Sequence, residues 1–151
     1  MSESEHENAR RVAQAVGSAL AENDQCAKSL GIVIEMGEAG HTVARMTVTQ
    51  AMLNGNGFCH GGMMFTLADG AFGYACQSRN HFSVATSCNV EFLAPATLGD
   101  ELTASVVERS LGGRLGLYDV ELRNQRDELV ALFRGKSYRT REPVVAGLMT
   151  E

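Results

Sequence analysis

Asn54 to Gln77 reads N-G-N-G-F-C-H-G-G-M-M-F-T-L-A-D-G-A-F-G-Y-A-C-Q, and this stretch decides the fold. Its first part is a loop dense in glycine, with Gly55, Gly57, Gly61 and Gly62 close together. Its second part is apolar on nearly every side: Met63, Met64, Phe65, Leu67, Ala68, Ala71, Phe72, Tyr74, Ala75 and Cys76, with no proline among them. A helix that is hydrophobic all round is a buried helix. It is too short and too often interrupted by polar residues to span a membrane. One carboxylate, Asp69, sits in its middle. An ionised side chain on a core helix is costly unless something pairs with it or the chemistry needs it.

Working outward, the flanking residues supply the wrapping. Val12, Val16 and Leu20 recur every four residues, which predicts an amphipathic helix from Glu7 to Leu20 behind a frayed start at residues 1–8. Asn23 and Asp24 are capping residues for a short second helix that stops at Gly31. The period then changes from four to two. Ile32, Ile34 and Met36 alternate, Glu38-Ala39-Gly40 turns, and Thr42 to Thr49 alternates again, which is a β-hairpin.

Beyond the buried helix, Phe82 to Leu93 predicts a strand with Phe82, Val84, Thr86, Cys88, Val90 and Phe92 on one face and Pro95 at its end. Leu102, Ala104 and Val106 mark the next strand, and Leu111-Gly112-Gly113 the turn after it. From Arg114 to Asn124, Tyr118, Val120 and Leu122 are in phase while Leu115 and Leu117 are not, which predicts a bulge near Gly116 to Tyr118. Asn124 to Glu128 is a tight turn, Leu129 to Tyr138 the last strand, and the tail from Pro143 carries no signal. Short connections imply antiparallel neighbours. The expectation is one α+β domain over 1–151, a long helix wrapped by a curved antiparallel sheet, with a helical extension at 1–20 and a tail at 140–151. One curled sheet leaves a side of the helix open, so a second subunit is expected to close it.

Composition narrows the function. A length of 151 residues suits one sizeable core, and a net charge of -5 argues against a nucleic-acid partner. Cys26, Cys59, Cys76 and Cys88 form no C-x-x-C pair, and His6, His41, His60 and His81 are not at ligand spacings with them, so no metal site is expected. The acidic, polar start from Met1 to Glu7 has no apolar core behind it, unlike a signal peptide. The expected setting is cytoplasmic, with reduced thiols and no membrane contact.

The chemistry is read from His60-Gly61-Gly62 and Asp69. If the helix starts here, the amides of Gly61 and Gly62 are among its unpaired first donors, with the positive end of the helix dipole behind them. A carbonyl becoming an oxyanion is stabilised at such a place. Asp69 lies eight residues after Gly61, roughly 12 Å along a helix axis. No single carbonyl can sit about 3 Å from both groups on one straight helix. The consequence is that Gly61 of one subunit faces Asp69 of its neighbour in a two-fold dimer. Asn54 and His60 are the other polar groups of the loop; either can brace it or bind the substrate carbonyl. Cys59 points elsewhere than His60 in an extended loop and is not read as a nucleophile.

These residues resemble a known family. N-x-x-G-x-C-H-G-G-x-x-F-x-L-A-D-x-A-F-x-Y-A-C from Asn54 to Cys76 is similar to the hotdog-fold acyl-CoA thioesterases, in particular the PaaI group of phenylacetate degradation. E-N-D-x-C-A-K-x-L-G-I at Glu22 to Ile32, M-T-V-T at Met46 to Thr49 and V-A-L-F-R-G-K-S at Val130 to Ser137 resemble the same group. The resemblance implies a hotdog fold, homodimers that usually pair into tetramers, and hydrolysis of a small aryl-acetyl-CoA such as phenylacetyl-CoA or its hydroxylated forms, with no cofactor. It implies catalytic roles for Asp69 and Gly61 and substrate-binding roles for Asn54, His60 and Gly62. Some relatives carry a serine on the strand after the helix; that position falls on Ala85 here, with Thr86 beside it as the candidate hydroxyl. Met63, Phe65, Phe72 and Phe82 are expected around the acyl group, and Arg134, Lys136 and Arg139 near the coenzyme A nucleotide. Two other readings stand beside this one. A hotdog acyl-carrier dehydratase would carry a proline in its loop, which is absent. A non-catalytic acyl-CoA-binding module would have no use for Asp69.

Overall fold

In the computed structural model, which describes residues 1–150, the elements follow in the order α1 (Glu3–Asn23), α2 (Gln25–Leu30), β1 (Val33–Glu38), β2 (His41–Thr47), α3 (Gly61–Gln77), β3 (Ser83–Phe92), β4 (Glu101–Gly112), β5 (Leu115–Arg123) and β6 (Leu129–Arg139). The strands form one antiparallel sheet in the order β1-β2-β4-β5-β6-β3. Helix α3 touches every one of them. Its Met64, Leu67, Ala68, Ala71, Phe72 and Ala75 share one core with Ala44, Met46, Leu102, Ala104, Tyr118, Val120, Leu122 and Phe133 of the sheet. Phe72 sits edge-on to Tyr118, with ring centroids 5.5 Å apart. Gly135 lets that ring in: a Cβ there would meet Phe72 at 2.8 Å.

The helix α1 lies over the β1 side of the sheet. Val12, Ala13 and Val16 form a second core with Met36 and Tyr74. Gly17 permits the close approach, since a Cβ there would meet Met36 Sδ at 2.6 Å. The predicted fraying of residues 1–8 is overturned. Ser2 and Glu5 make a reciprocal capping box, so the helix starts at Glu3. The tail also contributes: Val144, Val145 and Leu148 pack on this second core, and the Asn80 side chain donates through Nδ2 to the Val145 carbonyl and accepts through Oδ1 from the Val145 N–H. Helix α2 is capped by the Asp24 side chain and ends on Gly31 in the left-handed conformation (φ 68°), as its sequence predicts.

Two strand readings need correction. The bulge on the β4–β5 ladder belongs to β4, where Glu108 faces Tyr118 and Ser110 faces Leu117, leaving Arg109 as the extra residue. Strand β5 alternates without a break, burying Gly116, Tyr118, Val120 and Leu122, and Leu115 and Leu117 lie on its outer face. In β3 the expected single face is split by a shift between Ala85 and Ser87. Ser83 is buried before the shift, whereas Cys88 and Val90 pack inward after it. Thr86 is the extra residue, and one inserted residue exchanges the two faces of a strand. Strand β3 pairs only with β6, and its other edge is bare. Phe82, Val84 and Phe92 stand exposed along it.

Candidate functional site

The loop before α3 is held by its own side chain. Asn54 Oδ1 accepts from the Asn56 and Phe58 amides at 2.9 and 3.2 Å, and the Asn54 amide donates to the Phe58 carbonyl at 2.7 Å. Gly57 closes the turn with a positive φ of 80°. Asn54 therefore braces the loop through its oxygen, and its Nδ2 has no protein acceptor among the described residues. Cys59 is buried below, and loss of solvent pushes its thiol pKa up, so it stays protonated. The loop ends in His60, the N-cap of α3.

His60 decides which glycine amide is free. Its Nδ1 accepts from the Gly62 N–H at 3.2 Å, so the neutral ring carries its proton on Nε2. The amide of Gly62, expected to be an open donor, is thus satisfied within the chain. The Gly61 N–H has no acceptor among the described residues and remains at the head of a 17-residue helix. The Phe92 ring lies against the Gly61 Cα, where a Cβ would meet Phe92 Cζ at 2.9 Å.

Asp69 lies further along the same unbroken helix. It forms no hydrogen bond or ion pair among the described residues, and partial burial raises its carboxyl above the ordinary carboxylate range. It opens onto a groove of about 660 Å³ between α3 and the elbow joining α1 to α2. Thr66, Gly70, Gly73, Tyr74 and Gln77 line the α3 side, and Leu20, Cys26, Ile32 and Ile34 line the other. The Tyr74 hydroxyl donates to Asp24 Oδ2 at 3.1 Å, which ties the elbow to α3, and burial together with that carboxylate raises the phenol pKa.

Several predicted residues lie elsewhere. Phe72 is a core residue at 1% exposure and cannot touch a ligand. Phe65 packs edge-on to Phe133, and Phe82 is on the open edge of β3. Thr86 spends its hydroxyl on the Lys136 carbonyl at 3.3 Å across the bulge and does not line the groove. Arg134 is held by both oxygens of Asp119, and Arg139 donates to the Gly113 carbonyl. Of the three basic candidates, Lys136 alone has a side chain with neither a hydrogen bond nor an ion pair among the described residues. Sequence reasoning misses the α1–α2 elbow as a wall of the groove. The signal for it is Gly73, a small residue four positions after Asp69, with Gly70 three positions before it.

A helix gripped by a curled antiparallel sheet, with a free amide at its head and a lone carboxylate two turns on, is the architecture of a hotdog thioesterase. The chain matches the model of the thioesterase superfamily over residues 56–131 and belongs to that family. Within it the resemblance is to the PaaI acyl-CoA thioesterases. The chain is 52% identical over 121 residues to the acyl-coenzyme A thioesterase PaaI of Escherichia coli K12, covering 80% of this chain and 86% of that protein. The solved structure of the E. coli PaaI protein, from the phenylacetic acid degradation operon, superposes with a TM-score of 0.87 at 48% identity, covering 89% of this chain and 97% of that one. A Streptococcus mutans protein solved with acetyl-CoA bound has a TM-score of 0.71 at 28% identity, over 74% of this chain and 90% of its own. No helix among the described residues is long and apolar enough to cross a membrane.

Proposed function

We propose that this protein hydrolyses the thioester between coenzyme A and a small aryl-acetyl group, releasing the free acid and coenzyme A, in a cytoplasmic route of phenylacetate breakdown. The observation that carries the reading is the pairing on α3 of an unengaged Gly61 N–H with an unpartnered, half-buried Asp69. The likeness to PaaI supplies the acyl class. The two groups are roughly 12 Å apart along a straight helix, so each site takes its amide from one protomer and its carboxylate from another. The bare edge of β3, with Phe92 exposed beside the head of α3 and Phe82 and Val84 exposed toward its far end, is the surface we assign to that partner.

In this arrangement the thioester carbonyl lies against the Gly61 amide. A water attacks the carbonyl carbon while Asp69 takes its proton, and the oxyanion is held by the N–H and the helix dipole. Collapse breaks the C–S bond, and the thiolate leaves with the proton that Asp69 received. The same carboxylate can instead attack the carbonyl and form an anhydride that water then opens. Single-turnover hydrolysis in heavy-oxygen water separates the two, because label in the Asp69 carboxylate marks direct attack. Asn54 and His60 hold the loop, with Asn54 Nδ2 and His60 Nε2 left as donors toward the substrate.

Release of free thiol from a panel of acyl-CoAs, by wild type and by Asp69→Ala, tests the function. We expect turnover of phenylacetyl-CoA by wild type and none by the variant. Binding without turnover in the wild type would make the chain a binding module instead.

A further inference from the structure

The loop that leads into α3 is anchored by backbone bonds up to His60. The Cys59 N–H donates to the Ala96 carbonyl at 2.8 Å, and the His60 N–H donates to the Met52 carbonyl at 2.8 Å. The end of β3 is anchored as well. Phe92 lies opposite Ala131 of β6, and the Leu93 and Ala94 amides both donate to the Val130 carbonyl, at 2.9 and 3.2 Å. None of these bonds reaches the Gly61 N–H, which is without an acceptor among the described residues.

What meets Gly61 is the tip of the Phe92 ring. A Cβ on Gly61 would lie 2.9 Å from Phe92 Cζ, 3.2 Å from Cε2 and 3.3 Å from Cε1. These are the outermost atoms of the ring, so it points end-first at the glycine. Only a residue without a Cβ lets the ring seat there undisturbed. The ring has no hydrogen-bonding atom and cannot compete for the amide it braces. An N–H that stabilises an oxyanion must lie about 3 Å from where that oxygen will be, and a misplacement of about 1 Å costs on the order of a hundredfold in rate.

We propose that Phe92 is a positioning residue for thioester hydrolysis: the tip of its ring buttresses Gly61 and so holds the free N–H at the head of α3 where the thioester carbonyl meets it. The inference rests on the reading that the Gly61 N–H receives that carbonyl. It makes a strand residue, 31 positions further along the chain, the part that sets the amide in place. Reach at the ring tip then matters more than apolar area. Phe92 is 51% exposed, so replacing it opens no cavity in the core.

The test measures kcat and KM for phenylacetyl-CoA in wild type, Phe92→Ala, Phe92→Met and Phe92→Tyr, each over a range of enzyme concentrations. We expect Phe92→Ala to lose about ten- to a hundredfold in kcat while KM changes less than about threefold. Phe92→Met, unbranched and long enough to reach Gly61, restores kcat to within about threefold of wild type. Phe92→Tyr is ordinarily the mildest exchange, but it adds an oxygen to Cζ, the atom already nearest Gly61, and should lower kcat about tenfold. A residue that only supplied apolar contact to a partner subunit would behave otherwise: its loss would be recovered at higher enzyme concentration as dimers re-form. That recovery, a wild-type kcat in Phe92→Ala or Phe92→Tyr, or equal kcat in Phe92→Ala and Phe92→Met overturns the inference while leaving the thioesterase reading intact. Failure of wild type to cleave phenylacetyl-CoA overturns both.

Discussion

On one side of α3, Leu67, Ala68, Ala71 and Ala75 are wholly shut off from solvent against the sheet, while on the other Asp69, Gly70, Gly73 and Gln77 border an open groove. The first side follows the ordinary rule of cores: apolar atoms, dense packing, every contact filled. The second breaks that rule three times over. It holds two glycines in the middle of a helix and, among the described residues, a carboxylate with no partner and a glutamine oxygen with no donor. Mid-helix glycine and unpaired buried polar groups each weaken a fold. Their concentration on a single face is why we assign the chemistry there. The sheet-facing side holds the molecule together, and the groove-facing side is the one we propose to act.

Exchanging residues between the two faces should therefore separate rate from stability. Asp69→Asn is expected to have the largest effect, lowering kcat/KM for phenylacetyl-CoA by about a hundred- to ten-thousand-fold. It should also raise the melting temperature at neutral pH. The carboxyl pKa is higher in the fold than in the unfolded chain, so the charged form is the one the fold disfavours. That penalty is absent below the unfolded pKa and complete above the folded one, so the gain in the Asp69→Asn variant should close as pH falls through this window. For the same reason the acid limb of the wild-type rate profile should lie above the ordinary carboxylate pKa. A variant that lost both rate and stability would erase the distinction between the faces.

Leu67→Ala, two residues away, should do the reverse. Removal of a fully buried side chain is expected to cost about 2–5 kcal/mol in denaturant unfolding, with kcat changed little in the protein that remains folded. Gly61→Pro addresses the head of the helix. Proline is well tolerated at the first helical position, His60 already has the extended backbone (ψ 133°) that a following proline requires, and the Phe92 ring that its Cβ would meet at 2.9 Å is the far end of an exposed side chain that must swing aside. The substitution deletes the single free N–H and should lower kcat by about a hundred- to a thousand-fold in a folded protein. His60→Ala is the mildest. It removes the acceptor of the Gly62 amide, and about 1 kcal/mol of stability should go with it.

Much of the sheet-facing side is legible in the residues, because periodicity reports burial. The alternation of Ala44, Met46 and Val48, the caps at Asp24 and Gly31, and the apolar run of α3 all lead to elements that the structure contains. The groove side is less legible because it is defined by what is missing. That Asp69 has no partner, and that Gly62 but not Gly61 is capped, depends on where other side chains end. The wall from α1 and α2 comes from residues more than 35 positions before Asp69, brought near by the packing of Val12, Val16 and Tyr74 and by the Tyr74–Asp24 hydrogen bond. The bulges at Arg109 and Thr86 escape for a related reason. A bulge reveals itself by the partner strand's register, and a strand that alternates well, such as β5, can sit opposite one that does not. The expectation of Phe72 in the pocket fails because an aromatic on a buried helix can face either way, and here it faces Tyr118 and Phe133.

The central claim is that one protomer lends the amide and another the acid. Mixing two inactive chains, Asp69→Ala and Gly61→Pro, after unfolding and refolding them together, tests it directly. Each mixed dimer would contain one site built from an intact Gly61 and an intact Asp69, so about a quarter of wild-type activity should return at equal mixing. Mixed dimers that form but stay inactive would show that both groups act from a single chain, and would contradict the account.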